Sequence, residues 1–337
     1  MKQINQLQHH EQQKLLTGLQ ERGLVRWEDL GFEKSMEDIC ISDLTRWNAI
    51  CEEQNIDPRT VVVDECNLNY DFVNEAFDFR AVYFPKELLK HRMINPCKQI
   101  IPDKHINFMA GNFHTARYKL LEKFWQYGWL QNDKIFWSSY RNHRTFELNQ
   151  EIWFDKEFIK FMDQATPRTF VKNKFINDYP ENCNIGATKE QVHINDFNNF
   201  DTYIYENSLI SVVIDTFASY PGGLRSTPDN DHNVYTTPKT FKAIKHKRPF
   251  IIAIGKISDN LPMLKNLGFE TFDSVWDESY DTQTYDNRLD SMAQLCYNLS
   301  DENITDLYHN TKDICEHNYN VLVNTDWVQW YLDQLDI

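Results

Sequence analysis

The clearest chemistry in the 337-residue sequence is at Tyr235 to Phe241, YTTPKTF, where a lysine falls in the first turn of an expected helix. Thr236 or Thr237 can cap that helix. Pro238 suits its first position, because the missing N–H is not needed there and the fixed φ is already helical. A diphosphate at such a helix start would meet free N–H groups, the positive end of the helix dipole and the Lys239 ammonium. A well-capped surface helix has the same local pattern. A second candidate is Asp229-Asn230-Asp231-His232, whose oxygen and nitrogen donors could hold Mg²⁺ or Mn²⁺ beside a diphosphate. Next to Pro228 the same residues also read as a turn.

Arg117 follows Asn112-Phe113-His114 just after an expected strand. A guanidinium is the best side-chain donor for phosphate or carboxylate oxygens, and a surface salt bridge to Glu122 or a neighbour is its plain alternative. His114 is a candidate base for the same geometric reason. Asp277-Glu278-Ser279-Tyr280-Asp281 gathers carboxylates that could accept sugar hydroxyls or act as a base. They could equally cap the helix expected from Asp286, with Arg288 as their ion-pair partner. The nine tryptophans suit sugar stacking and suit a core.

These residues need strands and helices to place them. Leu209 to Ile214 is a short β-branched run that reads as a buried strand, and Phe250 to Ile254 is a second. The helix from Pro238 lies between them, with Phe241 and Ile244 toward a core and Lys239, Lys242, Lys245 and Lys247 toward solvent. That is a βαβ unit, and α/β sheets bind ligands in the loop before such a helix. A second unit runs from Ile106 to Ser138. It has a strand through Ala110, a helix burying Leu120, Leu121, Phe124 and Trp125 and ending at Gly128, and a strand from Lys134. The two units predict two α/β domains facing each other.

Elsewhere, 1 to 58 reads as amphipathic helix, with Leu15, Leu16 and Leu19 at helical spacing and a helix through Trp47 to Cys51 ended by Asp57-Pro58. Strands are expected at Thr60 to Val63 and Arg80 to Phe84. The polar, proline-bearing stretch to 200 reads as linker and cleft loops. Leu289, Met292, Ala293 and Cys296 share one face of a helix in the tail, and a short helix closes the chain from Trp327. The expected division is 1–165, 166–200 as linker, 201–325, and 326–337 as a terminal helix.

Composition narrows the function classes. Ten glycines without G-x-G-x-x-G or G-x-x-x-x-G-K exclude the glycine-rich phosphate loops. Phosphate here must be held by side chains and helix ends. A net charge of −15 argues against a broad grip on nucleic acid. Seven scattered cysteines without a C-x-x-C pair read as reduced thiols. The start is polar, and no apolar run approaches the roughly 20 residues of a membrane span. A soluble, cytoplasmic protein is expected.

Taken together, YTTPKTFKAIKHKRPFIIAIG, LKNLGFETF, the DESYD box and Arg288 resemble the C-terminal half of GT-B-type glycosyltransferases found in phage, giant-virus and marine bacterial genomes. That half is similar to the donor domain of the α1,3-fucosyltransferases, in which a T-E-K box opens the helix under the sugar nucleotide. The resemblance covers about 209 to 290, and extends loosely to NFHTARYKLL and its following WSSY strand.

The resemblance implies two Rossmann-like domains across a cleft. The N-terminal domain would be on the acceptor side, the C-terminal one would hold the nucleotide-sugar, and the last helix would cross back to the first domain. It implies transfer of a sugar from a nucleotide-sugar co-substrate to a glycan or other small acceptor, with no obligatory cofactor or metal. Carried over by position, Lys239 would contact the donor phosphates with Thr237 and Thr240 beside it; joined to the residue readings above, Arg117, Lys239 and His114 would serve catalysis. Tyr235, Thr237, Lys239, Thr240, Asp215 and Asp231 would meet the donor, and Asn112, Asp277, Glu278 and Asp281 the other substrate. One departure stands out: Pro238 occupies the position of the family's Glu. A catalytically silent GT-B-like binding protein and a Mg²⁺-dependent nucleotide-processing enzyme are the alternatives.

Overall fold

The computed structural model describes residues 9–33, 39, 41–63, 70–81, 88–89, 92, 95–109, 115–131, 135–138, 154–164, 200–214, 238–253, 260–283 and 285–336. They fall into two units, one holding 9–92 and 322–336, the other 95–321. Each has a wholly parallel sheet, so the chain is α/β.

The first unit contains α1 (His9–Glu21), β1 (Val25–Arg26), α2 (Ile41–Gln54), β2 (Val61–Val63), α3 (Tyr70–Phe77) and β3 (Arg80–Ala81), with strand order β1-β2-β3. Its core joins Val61 and Val63 to Trp27, Trp47, Leu44 and Phe79. The Trp27 and Trp47 rings stack at 4.9 Å. Of the three leucines at helical spacing on α1, Leu15 and Leu19 are buried while Leu16 is 49% exposed, so the apolar stripe is narrower than expected. The helix before Asp57 stops at Gln54. Asn55 takes φ 55° and the Ile56 N–H returns to the Cys51 carbonyl, a left-handed cap that ends the helix before the proline is reached.

The second unit contains β4 (Lys104–Met109), α4 (Thr115–Gln126), β5 (Ile135–Ser138), α5 (Lys156–Gln164), α6 (Phe200–Asn207), β6 (Ser208–Ile214), α7 (Pro238–Lys245), β7 (Phe250–Ala253), α8 (Asn260–Asn266), α9 (Tyr285–Asp301) and most of α10 (Ile304–Asn324). Its strand order is β5-β4-β6-β7. Every residue of β6 and of β7 is buried, as expected of strands covered on both faces. Gly128, with φ +73°, closes the end of α4. The expected face of α9 is buried at Leu289, Met292, Ala293 and Cys296.

The sheet departs from expectation in its pairing. The two strand–helix–strand units were expected in separate domains. Instead Ile106, Asn107 and Phe108 of β4 register against Ile210, Ser211 and Val212 of β6, so both units share one sheet. Each strand was visible as an apolar run, but an apolar run does not name its neighbour. Residues from Leu322 group with the first unit. There α11 (Trp327–Gln334), capped by Asp326, buries Trp327, Val328, Tyr331 and Leu332. Among the described residues no helix is long and apolar enough to cross a membrane.

Candidate active site at the strand ends of the second sheet

In the order β5-β4-β6-β7 the chain leaves β4 toward β5 on one side and β6 toward β7 on the other. The C-terminal ends of β4 and β6 therefore flank a topological switch point, the place where open α/β sheets form a ligand crevice. Two helices begin beyond these ends.

The first is α4. Its third residue, Arg117, is 2% exposed and its Nε donates to the carbonyl of Ile214, the last residue of β6, at 2.8 Å. The guanidinium is thus fixed across the two central strand ends. Arg117 is therefore not a surface residue, and Glu122, one of the alternative partners, is engaged elsewhere. Glu122 pairs with Lys119 at 3.0 Å and accepts from the Asp155 N–H at 2.5 Å.

The second is α7, which begins at Pro238 as its sequence predicts. Its C-terminal end is tied down by Lys247, at φ 53°, and by the Arg248 N–H to the Ala243 carbonyl at 2.9 Å. β7 starts at Phe250, so the chain enters that strand from the foot of the helix. Its start, with Lys239, consequently faces the C-terminal edge of the sheet. Lys239 is half-buried, and Thr240 is fully buried with no hydrogen-bond partner for its Oγ1 among the described residues. Such an orphan hydroxyl is unusual in a protein interior. Lys242 and Lys245 are also buried, at 2% and 1% exposure, against the expectation that they face solvent. Every residue from Thr240 to His246 is buried, so α7 is enclosed around its whole circumference and has no solvent face.

The carboxylates of the DESYD segment hold the protein's own backbone. Asp281 Oδ2 accepts the Leu261 N–H at the start of α8, at 3.2 Å. Glu278 Oε1 accepts the Phe272 N–H at 2.9 Å. Asp277 accepts the N–H and hydroxyl of Ser279 at 2.9 and 3.0 Å. Between them, the Tyr280 hydroxyl accepts the Ile252 N–H of β7 at 3.3 Å. Burial pushes the Glu278 carboxyl up and the Tyr280 phenol well above its ordinary range. Arg288, expected as a carboxylate partner, donates to the carbonyls of Gln283 and Asp281 at 2.8 and 3.1 Å. The carboxylates of the segment thus accept from their own surroundings rather than forming a row of free acids.

Asn112, His114, Asp215, Asp229, Asp231, His232, Tyr235 and Thr237 lie outside the described residues. In the chain they fall between β4 and α4 or between β6 and α7, the two connections that leave the switch point. No group of three or more His, Cys, Asp or Glu side chains among the described residues is placed to hold a metal ion.

One polar group went unread in the sequence. Asn107 of β4 donates to Ser208 Oγ at 2.9 Å and accepts from Ser211 Oγ at 3.1 Å, both on β6. All three are buried at 2% exposure or less. This satisfied network fixes the register of the strands flanking the crevice. Its signal was available as polar residues inside otherwise apolar strand runs. No protein-family model, curated protein or solved structure matches this chain.

Proposed function

We propose that this chain is a metal-independent glycosyltransferase that moves a sugar from a nucleotide-sugar to a glycan or other small acceptor, on a GT-B-like two-domain frame. The observation that carries the reading is Arg117, buried and anchored to Ile214 at the end of β6, in a sheet whose adjoining helix start bears Lys239. In this reaction the bond from the sugar anomeric carbon to the donor phosphate breaks, and an acceptor oxygen takes the carbon. Negative charge grows on the leaving phosphate group. Lys239 and the start of α7 would stabilise it from one side and Arg117 from another, and cations already held in place gain strength because nothing need reorganise. The Thr240 hydroxyl, without a hydrogen-bond partner among the described residues, is one further donor in the same turn. His114 or a carboxylate such as Asp215 or Asp231 would take the acceptor proton.

A second reading, a silent binding protein of the same architecture, is favoured by one feature. Pro238 opens α7 where the resembled family has Glu, so no carboxylate reaches the donor from that position. The experiment is donor turnover: purified protein with UDP-, GDP- and CMP-sugars, a panel of acceptors, and EDTA or Mg²⁺. Release of the nucleotide from one donor class, unchanged by EDTA and lost in Lys239→Ala, is the expected result. Donor binding without turnover would instead support the silent protein, and turnover abolished by EDTA would refute the metal-independent mechanism.

A further inference from the structure

Tyr127 and Tyr297 come from different parts of the second unit, just after α4 and near the end of α9, yet their rings meet at 5.2 Å. They remain 39% and 38% exposed. Beneath them Trp129 stacks on Tyr297 at 5.8 Å and 11°, and Phe124 stacks on Trp129 at 5.4 Å, so an aromatic column rises from the core to the surface. Around the rings are polar groups suited to hydroxyls. The Tyr127 hydroxyl lies 3.4 Å from Gln294 Oε1, and Gln294 Nε2 donates to Asn298 Oδ1 at 2.9 Å. Lys123 pairs with Asp290 between the same two helices.

We infer that this surface is a carbohydrate-binding platform for a neutral pyranose unit of a glycan. The C–H face of a sugar ring packs on an aromatic face, while amide, phenol and carboxylate groups at the rim exchange hydrogen bonds with its hydroxyls. Two tyrosines little more than a third exposed offer far less than the ~800 Å² per partner of a stable protein interface. Lys123 is neutralised by Asp290, so the patch offers no net positive charge to a phosphate backbone. The stacked column and the ion pair hold the surface in place before a ligand arrives, which reduces the ordering cost of binding. Tyr127 is ten residues along from Arg117, about 15 Å of helix, so the platform is separate from the strand-end site and stands whether or not the transferase reading does.

The test titrates the full chain with neutral hexasaccharides of glucose, N-acetylglucosamine, mannose and galactose, followed by saturation-transfer NMR and affinity electrophoresis. Binding of at least one is expected. Tyr297→Ala and Tyr127→Ala should each weaken it about tenfold, equivalent to about 1.4 kcal/mol, with the thermal transition retained. Tyr297→Phe should keep most of the binding, and Lys239→Ala should leave it unchanged. The inference is overturned if no hexasaccharide binds, if binding survives both alanine variants, or if it is lost in Lys239→Ala instead.

Discussion

Arg117 illustrates how a residue can stand out in the sequence for its chemistry while its surroundings stay hidden there. Its type and its place after a strand mark it in the sequence, but its burial depends on β6, nearly a hundred residues later, and is invisible locally. Since its Nε satisfies the Ile214 carbonyl inside the protein, Arg117→Met should lower unfolding free energy by about 1.5–3 kcal/mol, the usual worth of a buried charge-assisted hydrogen bond. Urea denaturation measures this, and Arg117→Lys should not restore it, because an ammonium cannot reproduce the guanidinium fork.

Glu278 gives a prediction with a definite sign. Its carboxyl is raised from 4.5, chiefly by burial, so the folded chain holds that proton more tightly than the unfolded chain does. Ionisation therefore costs stability as pH rises above 4.5. Glu278→Gln, which keeps an acceptor for the Phe272 N–H, should melt higher than the parent protein at neutral pH, with the difference fading in acid. A melting series across pH reads this directly, and an equal difference at every pH would contradict it.

At the scale of elements, much was legible. The LISVVI run, the start of α7 at Pro238, the Gly128 stop and the apolar face of α9 each follow from a local rule of periodicity, capping or backbone freedom, and each is found. Neighbour choice was not legible: β4 against β6 is a long-range pairing, and the two-residue β1 carries too little pattern to be seen. The burial of Lys242 and Lys245 escaped for the same reason, since local charge says nothing of what later covers a helix.

The packing of α11 on α1 is another such contact. A Cβ on Gly18 would fall 2.5 Å from Leu332 Cδ1, and Leu332 is 2% exposed. Lys14 to Asp326 at 2.6 Å and Arg22 to Asp336 at 2.5 Å fasten the same pair of helices. Gly18→Val should cost about 1–3 kcal/mol by overpacking, even though valine suits a helix better than glycine. A lower urea midpoint with unchanged slope checks it, whereas an unchanged midpoint would mean that Leu332 moves aside freely.

For the whole molecule, composition and the second sheet bear on the same question from different directions. The net charge of −15 and the missing glycine loops leave a phosphate to be held by individual cations and helix starts. The order β5-β4-β6-β7 places Arg117 and the start of α7 at one edge of one sheet. Arg117 and Lys239 could be singled out from sequence because each falls in the first turn of an expected helix. The unity of the site could not be read there, because it depends on which strands are neighbours.

The most direct measurement is a thermal-shift titration of the full chain and of Lys239→Ala against UDP-, GDP- and CMP-sugars. A ligand bound only by the folded state at 100 times its Kd adds about 2.7 kcal/mol of stability, which is readily seen. The account predicts that one nucleotide class raises the melting temperature of the parent chain and leaves Lys239→Ala unmoved. A flat response to all three classes, or a shift that persists in Lys239→Ala, would contradict the placement of a nucleotide-sugar at the start of α7.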